Sequence, residues 1–160
     1  MKLAALLVVL LAAPPLSPEV SAERLIVDKS ERTLTLIWRG APLKTYRVAL
    51  GGEPVGPKQA KGDQRTPEGS YTVVKKLPNS GFHRALVLSY PNAEDRARAR
   101  AAGVSPGSDI AIHGLKPDYD WLGSAHVVFD WTDGCIAVTN REMEELWRAV
   151  PTGTPVEIRP

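Results

Sequence analysis

With 160 residues the chain is one domain's worth, long enough to bury a core without help from disulfides. Apolar residues at 43% and charged residues at 24% are ordinary for a soluble globular protein. A net charge of +2, from 20 basic and 18 acidic residues with no basic stripe interleaved with aromatics, argues against a nucleic-acid partner.

The N-terminus is different in character. Lys2 precedes an unbroken apolar run over residues 3–13, which Pro14 and Pro15 end. Val20-Ser21-Ala22 then offers small residues where a signal peptidase reads. The pattern predicts a signal peptide over residues 1–22, cleaved after Ala22, and a domain over 23–160. Read instead as an uncleaved anchor, so short a helix would cross only about half a bilayer. No Cys follows the run, so a lipoprotein anchor is not indicated, and no membrane contact is expected after cleavage.

The first half of the domain reads as strands. Residues 24–28 are short and apolar, and residues 33–38 alternate Leu34, Leu36 and Trp38 against Thr33, Thr35 and Ile37. The polar stretch 29–32 between them suits a hairpin turn. Arg39-Gly40 turns the chain into a third strand over 43–50. Residues 51–69, rich in glycine and proline, predict a long loop, read either as a substrate wall or lid or as a plain surface loop. Strands are expected at 70–74 and 85–90.

Residues 92–102 predict a helix capped by Asn92, with Asp95 in its first turn and Gly103 as its stop. Arg96, Arg98 and Arg100 spread around it, as on a solvated surface helix. Short strands follow at 109–113 and 134–138. Thr139 and Glu142 then form a capping box, and Met143, Leu146, Trp147 and Val150 recur at helical spacing as a core-facing stripe. A closing strand is expected at 155–159. The fold class is mostly β with two helices.

Cys135 is the only cysteine, so it has no internal disulfide partner. In an exported domain an unpaired Cys reads as a reactive thiol or as a small buried hydrophobe. No CxxC or HxxxH spacing supports a zinc site, and no metal or organic cofactor is expected. Gly134, just before Cys135, allows a sharp corner and close substrate approach. Backbone amides at Gly134 and Cys135 in such a corner are candidates for an oxyanion hole. A thiol of ordinary pKa, about 8.5, needs a base. The candidates are His83, His113 and His126; His113, followed by Gly114, ends a strand at an open edge.

Ile112-His113-Gly114, Thr132-Asp133-Gly134-Cys135-Ile136 and Gly153-Thr154-Pro155-Val156-Glu157-Ile158 resemble the L,D-transpeptidase (YkuD-like) catalytic domain, as does the earlier run from Gly62 to Tyr71. The similarity spans residues 24–158. It implies a mostly β catalytic fold with a cysteine nucleophile that attacks peptidoglycan stem peptides at the diaminopimelate carbonyl. A thioester forms, D-alanine leaves, and an amine from a second stem makes the cross-link. By position, Cys135 matches the nucleophile, His113 the base, Gly134 and Cys135 the oxyanion corner, and Thr132 the motif's hydroxyl. Gly114, Asp133 and His126 are supporting residues. The location implied is the periplasm, and the function is cell-wall remodelling.

Two departures matter. Asp133 stands where the family usually has His, and Ala137 where it often has Arg or Asn. A carboxylate about 5 Å from the sulfur, at an effective dielectric of about 20, opposes the thiolate by about 3 kcal/mol. Asp133 is therefore expected to point away from the sulfur or to pair with a cation, charged His126 or His113. The Thr-Asp-Gly-Cys version, followed by Ile136-Ala137-Val138-Thr139-Asn140, resembles the YafK or DpaA branch. That branch is linked to hydrolytic release of outer-membrane lipoprotein from murein. Three outcomes stay open: acyl transfer to an amine, hydrolysis as an amidase or peptidase, and a catalytically dead murein-binding module.

Overall fold

Two hairpins open the domain. β1 (Arg24–Asp28), β2 (Thr33–Trp38) and β3 (Ala41–Arg47) pair antiparallel in sequence order. The computed structural model describes residues 14–160, so the apolar run read as a signal peptide lies outside the described residues up to residue 13. β4 (Gly69–Ser80), β5 (His83–Leu88), β6 (Ala111–His113), β7 (Ile136–Ala137) and β8 (Pro155–Arg159) complete one eight-stranded sheet. Its order is β3-β2-β1-β8-β4-β5-β6-β7. The sheet is mixed: β1 with β8 and β6 with β7 run parallel, and the other pairs antiparallel.

The strand pattern buries one side of each hairpin. Leu25 and Val27 of β1 meet Leu34 and Leu36 of β2, and all four are fully buried. Beyond β3 the chain crosses to the opposite end of the sheet. There Ala49 exchanges backbone hydrogen bonds with Ala137 of β7, at 3.0 and 2.9 Å. Leu50 and Gly52 bond the backbone of Thr132 in the same way. The exposed edge that β7 would otherwise present is thereby covered.

Helix α1 (Ala93–Ala102) has Asn92 as its cap, a reciprocal capping box with Asp95, and Gly103 in the left-handed conformation at its end. Helix α2 (Asn140–Ala149) has the box of Thr139 and Glu142, and it buries Met143, Leu146 and Ala149. The expectation of two helices is corrected to three. A 3-10 helical segment, Pro117–Val128, lies between β6 and β7, broken at Gly123 (φ 48°). Pro117 presets its first turn. A 3-10 segment repeats every three residues and is interrupted here, so the 3.6-residue periodicity that marks an α-helix never arises.

Lys29, Lys58, Asp95 and Glu145 are charged residues buried where the pattern predicted solvent. Lys29, in the first hairpin turn, is 2% exposed. Its Nζ donates to the carbonyls of Gly56 and Thr66 at 2.6 and 2.9 Å and pairs with Glu68 at 2.8 Å. Glu145 of α2 faces inward and accepts from Lys44 and Tyr46. Lys29 pins the 51–69 loop to the sheet. Within the loop, burial raises the Asp63 carboxyl, but Lys58 and the amides of Gln59, Ala60 and Arg65 outweigh it and hold the group at about 2. The loop is thus laced by buried charge.

The stretch before β1 also joins the fold. Leu16, Val20 and Ala22 are buried in the core cluster. The Ala22 amide donates to Ala149 at 2.7 Å, and Arg148 donates to the Leu16 carbonyl at 3.0 Å. Among the described residues no helix is long and apolar enough to cross a membrane.

Candidate active site

The β6–β7 pairing brings the two expected reactive residues together. Ile112 lies opposite Ile136 and His113 opposite Ala137, in parallel register. Cys135 is one residue before β7, so it falls beside Ala111, on the same sheet face as His113 two positions further along. Both side chains line one groove of about 500 Å³, together with Asp109, Trp131, Thr132 and Asp133.

His113 is buried, and its Nδ1 lies 2.7 Å from the carbonyl oxygen of Gly114. A carbonyl only accepts, so Nδ1 carries the proton and Nε2 keeps its lone pair. Phe82 lies against the ring at 4.3 Å between centroids, and Trp131 meets it edge-on at 5.9 Å. Burial lowers the pKa of His113, although the Gly114 carbonyl acts the other way. The ring is neutral at pH 7.

The Cys135 thiol is 3.5 Å from the Asp109 carbonyl, to which it donates. Burial pushes its pKa up; the charges of Asp133 and Asp109 push the same way, while a backbone hydrogen bond and Lys58 oppose them. Asp133 is exposed and makes no hydrogen bond to the sulfur. Neither histidine is a cationic partner for it, because burial lowers both, His126 to about 4. Asp133 therefore lies in solvent rather than in an ion pair.

Thr132 builds the corner that holds the thiol. It is buried, its hydroxyl donates to the Cys135 carbonyl at 2.8 Å, and it accepts from the Gly134 amide at 3.1 Å. Of the two amides expected at an oxyanion hole, Gly134's is thus engaged by Thr132. Cys135's has no partner among the described residues. Gly134 has φ 126°, and a Cβ there would sit 2.6 Å from the Arg65 carbonyl oxygen. The 51–69 loop therefore packs directly behind the corner. Gly114 is equally confined: a Cβ would lie 2.4 Å from Asn140 Oδ1.

His126 is not in this groove. It is buried on the far side of Trp131, whose ring it meets at 6.4 Å, and lines a neighbouring cavity. His83 is in an exposed pair with Glu144 at 2.6 Å. Sequence reasoning missed Phe82, Lys116 and Asp109 as groove residues and Trp131 as the wall between the cavities. Trp131 adjoins the Cys motif, the one signal that pointed to it. Phe82 and Lys116 carry none.

The model of the L,D-transpeptidase catalytic domain, YkuD, matches residues 22–158. YafK of Escherichia coli is 32% identical over 130 residues, covering 78% of this chain. The chain spans 45% of that relative's length. YkuD of Bacillus licheniformis is 30% identical over 145 residues, 90% of this chain and 70% of that protein. Among solved structures, the helical cell shape determining protein Pgp2 from Campylobacter jejuni (K307A mutant) aligns with a TM-score of 0.65 at 22% identity. That alignment covers 88% of this chain and 48% of Pgp2. At that identity the likeness is one of fold.

Proposed function

The chain belongs to the L,D-transpeptidase catalytic-domain family, and from that premise we propose that it is an exported cysteine enzyme acting on peptidoglycan stem peptides through a thioester. The observation that carries this reading is the tautomer of His113. Its Nδ1–H is held by Gly114, and Nε2 is left as a base in the groove that Cys135 lines.

The resting pair is neutral. Burial raises the thiol and lowers the imidazole, so a thiolate–imidazolium pair is disfavoured before substrate arrives. The proton therefore passes from Sγ to Nε2 as the sulfur attacks the stem carbonyl. The Cys135 amide donates to the oxyanion, with Thr132 fixing the corner. His113 then returns the proton to the leaving amine, D-alanine, and the acyl group stays on sulfur. In the second half His113 deprotonates the acceptor.

An amine acceptor gives a cross-link and water gives hydrolysis. The resemblance of the Thr132-Asp133-Gly134-Cys135 motif to the hydrolytic branch, with the Asp133 and Ala137 departures, supports a second reading, hydrolysis with lipoprotein-linked murein as a substrate. Purified protein incubated with muropeptides separates them. Cross-linked 3–3 dimers mark transfer; shortened or lipoprotein-free stems alone mark hydrolysis. An acyl adduct on Cys135, seen by intact-mass spectrometry and absent in Cys135→Ala, is expected in both. Absence of any adduct and of turnover would leave a murein-binding module. Thiol alkylation alone does not discriminate, because a raised thiol pKa makes even a working nucleophile slow toward alkylating reagents at neutral pH.

A further inference from the structure

The 51–69 loop holds a buried lysine that the acyl chemistry above does not use. Lys58 is 4% exposed. Its ammonium donates to Asp63 Oδ1 at 2.7 Å and to the Ala60 carbonyl at 3.1 Å. Asp63 in turn accepts from the amides of Gln59, Ala60 and Arg65, so the pair ties residues 58–65 into one closed turn.

That turn touches both flanks of the thiol corner. On one flank the Arg65 carbonyl lies behind Gly134. On the other, the Lys61 amide donates to the Ser105 carbonyl at 2.7 Å, and a Cβ on Gly107 would lie 3.7 Å from Lys58 Cε. Two residues on, Asp109 is held at φ 62°, a left-handed conformation that few non-glycine residues adopt, and its carbonyl accepts from the Cys135 thiol. The stem of a buried ammonium thus packs against the turn that receives the thiol hydrogen bond.

We propose that Lys58 is a positioning residue for Cys135: clamped by Asp63, it fixes the 105–109 turn against the sulfur and presents a cation behind it. Buried charges act over several ångströms with little screening by salt. Burial and the charges of Asp133 and Asp109 disfavour the thiolate, and a backbone hydrogen bond at Ala111 and the Lys58 charge oppose them. Of the other groups nearby, His113 is neutral, Lys116 lines the groove, Lys61 is exposed, and Arg65 turns its guanidinium toward Gly56. When the proton leaves Sγ for His113 Nε2, the negative charge left on sulfur finds an ammonium already in place. The effect on turnover rests on the acyl chemistry proposed above; the effect on the thiol does not.

The test follows iodoacetamide alkylation of Cys135 across the pH range in which the thiol titrates, with melting temperatures alongside. Lys58→Met should move the midpoint up by about half to one pH unit, a roughly three- to tenfold slower reaction below it. Lys58→Arg should restore it. Asp63→Asn leaves the ammonium without its counter-charge and should move the midpoint down. Lys29→Met releases Gly56 and Thr66 of the same loop and should lower the melting temperature with the midpoint unmoved. A midpoint that Lys58→Met leaves in place, or that Lys58→Met and Asp63→Asn move the same way, overturns the role. If Lys58→Met does not fold, Asp63→Asn decides: a midpoint that rises or stays overturns it. Muropeptide turnover by the unsubstituted enzyme is measured in parallel. The expected shifts without turnover remove the acyl-transfer reading alone, and turnover with unshifted midpoints removes the Lys58 role alone.

Discussion

At the scale of single residues, the environment sets the resting chemistry. His113→Gln keeps a side chain of polar character but removes the base, so kcat on muropeptides should fall by roughly 10²- to 10⁴-fold. Cys135→Ala should abolish both turnover and the acyl adduct. Asp133 acts more gently. It is exposed, yet its charge helps hold the thiol protonated. Asp133→Asn should lower the thiol pKa and speed iodoacetamide alkylation at pH 8 a few-fold; unchanged rates would mean that the carboxylate is fully screened. His126 controls stability instead. Its folded value is about 4 against an ordinary 6.5, so between those pH values the unfolded chain binds more protons. Its contribution is complete above about pH 6.5 and is lost as pH falls toward 4, a change on the order of 3 kcal/mol. Melting curves from pH 7 to pH 4 should show the drop, and His126→Phe should flatten it.

Elements fix where these side chains sit. The Thr132–Cys135 corner depends on one hydroxyl making two hydrogen bonds. Thr132→Val leaves a buried amide and carbonyl unpaired and should cost roughly 2–4 kcal/mol in unfolding free energy, with a fall in kcat, whereas Thr132→Ser should retain most of both. Gly134→Ala meets the Arg65 carbonyl and should cost more, because the loop behind it is anchored through Lys29 and cannot retreat. Much of this level was legible in the sequence. Both α-helices carry their caps in the primary structure, and the alternation of β2 marks its inner face. Lys29 and Glu145 were not legible, since a lysine in a polar turn and a glutamate on a helix normally face water. Their partners come from distant segments that no local pattern reveals. The 3-10 helix escaped for a related reason: it has no amphipathic repeat, and its Trp121 and Val128 remain exposed.

For the whole molecule, the motif residues announced the site, but its supports did not. Cys135 and His113 come together through strand register, and their motifs sit at the strand ends that this register aligns. The partition at Trp131, with His126 on its far side, depends on how an irregular segment folds back. The buried stretch before β1 bears on the processing expected from the sequence. A chain beginning at Glu23 loses the burial of Leu16, Val20 and Ala22, worth roughly 3–5 kcal/mol at about 1.5–3 kcal/mol per large apolar side chain. Compared with a chain beginning at Pro14, it should melt lower by roughly 6–15 °C at a few degrees per kcal/mol. Mass spectrometry of the protein isolated from its own cell would show where the chain begins.

β8 lies between β1 and β4, with a parallel neighbour on one side and an antiparallel one on the other. During synthesis the hairpins of β1–β3 and the array β4–β7 emerge first, as two half-sheets whose central seam is still open. Residues 155–159 fill that seam. The sheet is therefore completed by the strand made last of the eight, and deleting residues 155–159 should leave the chain unable to fold.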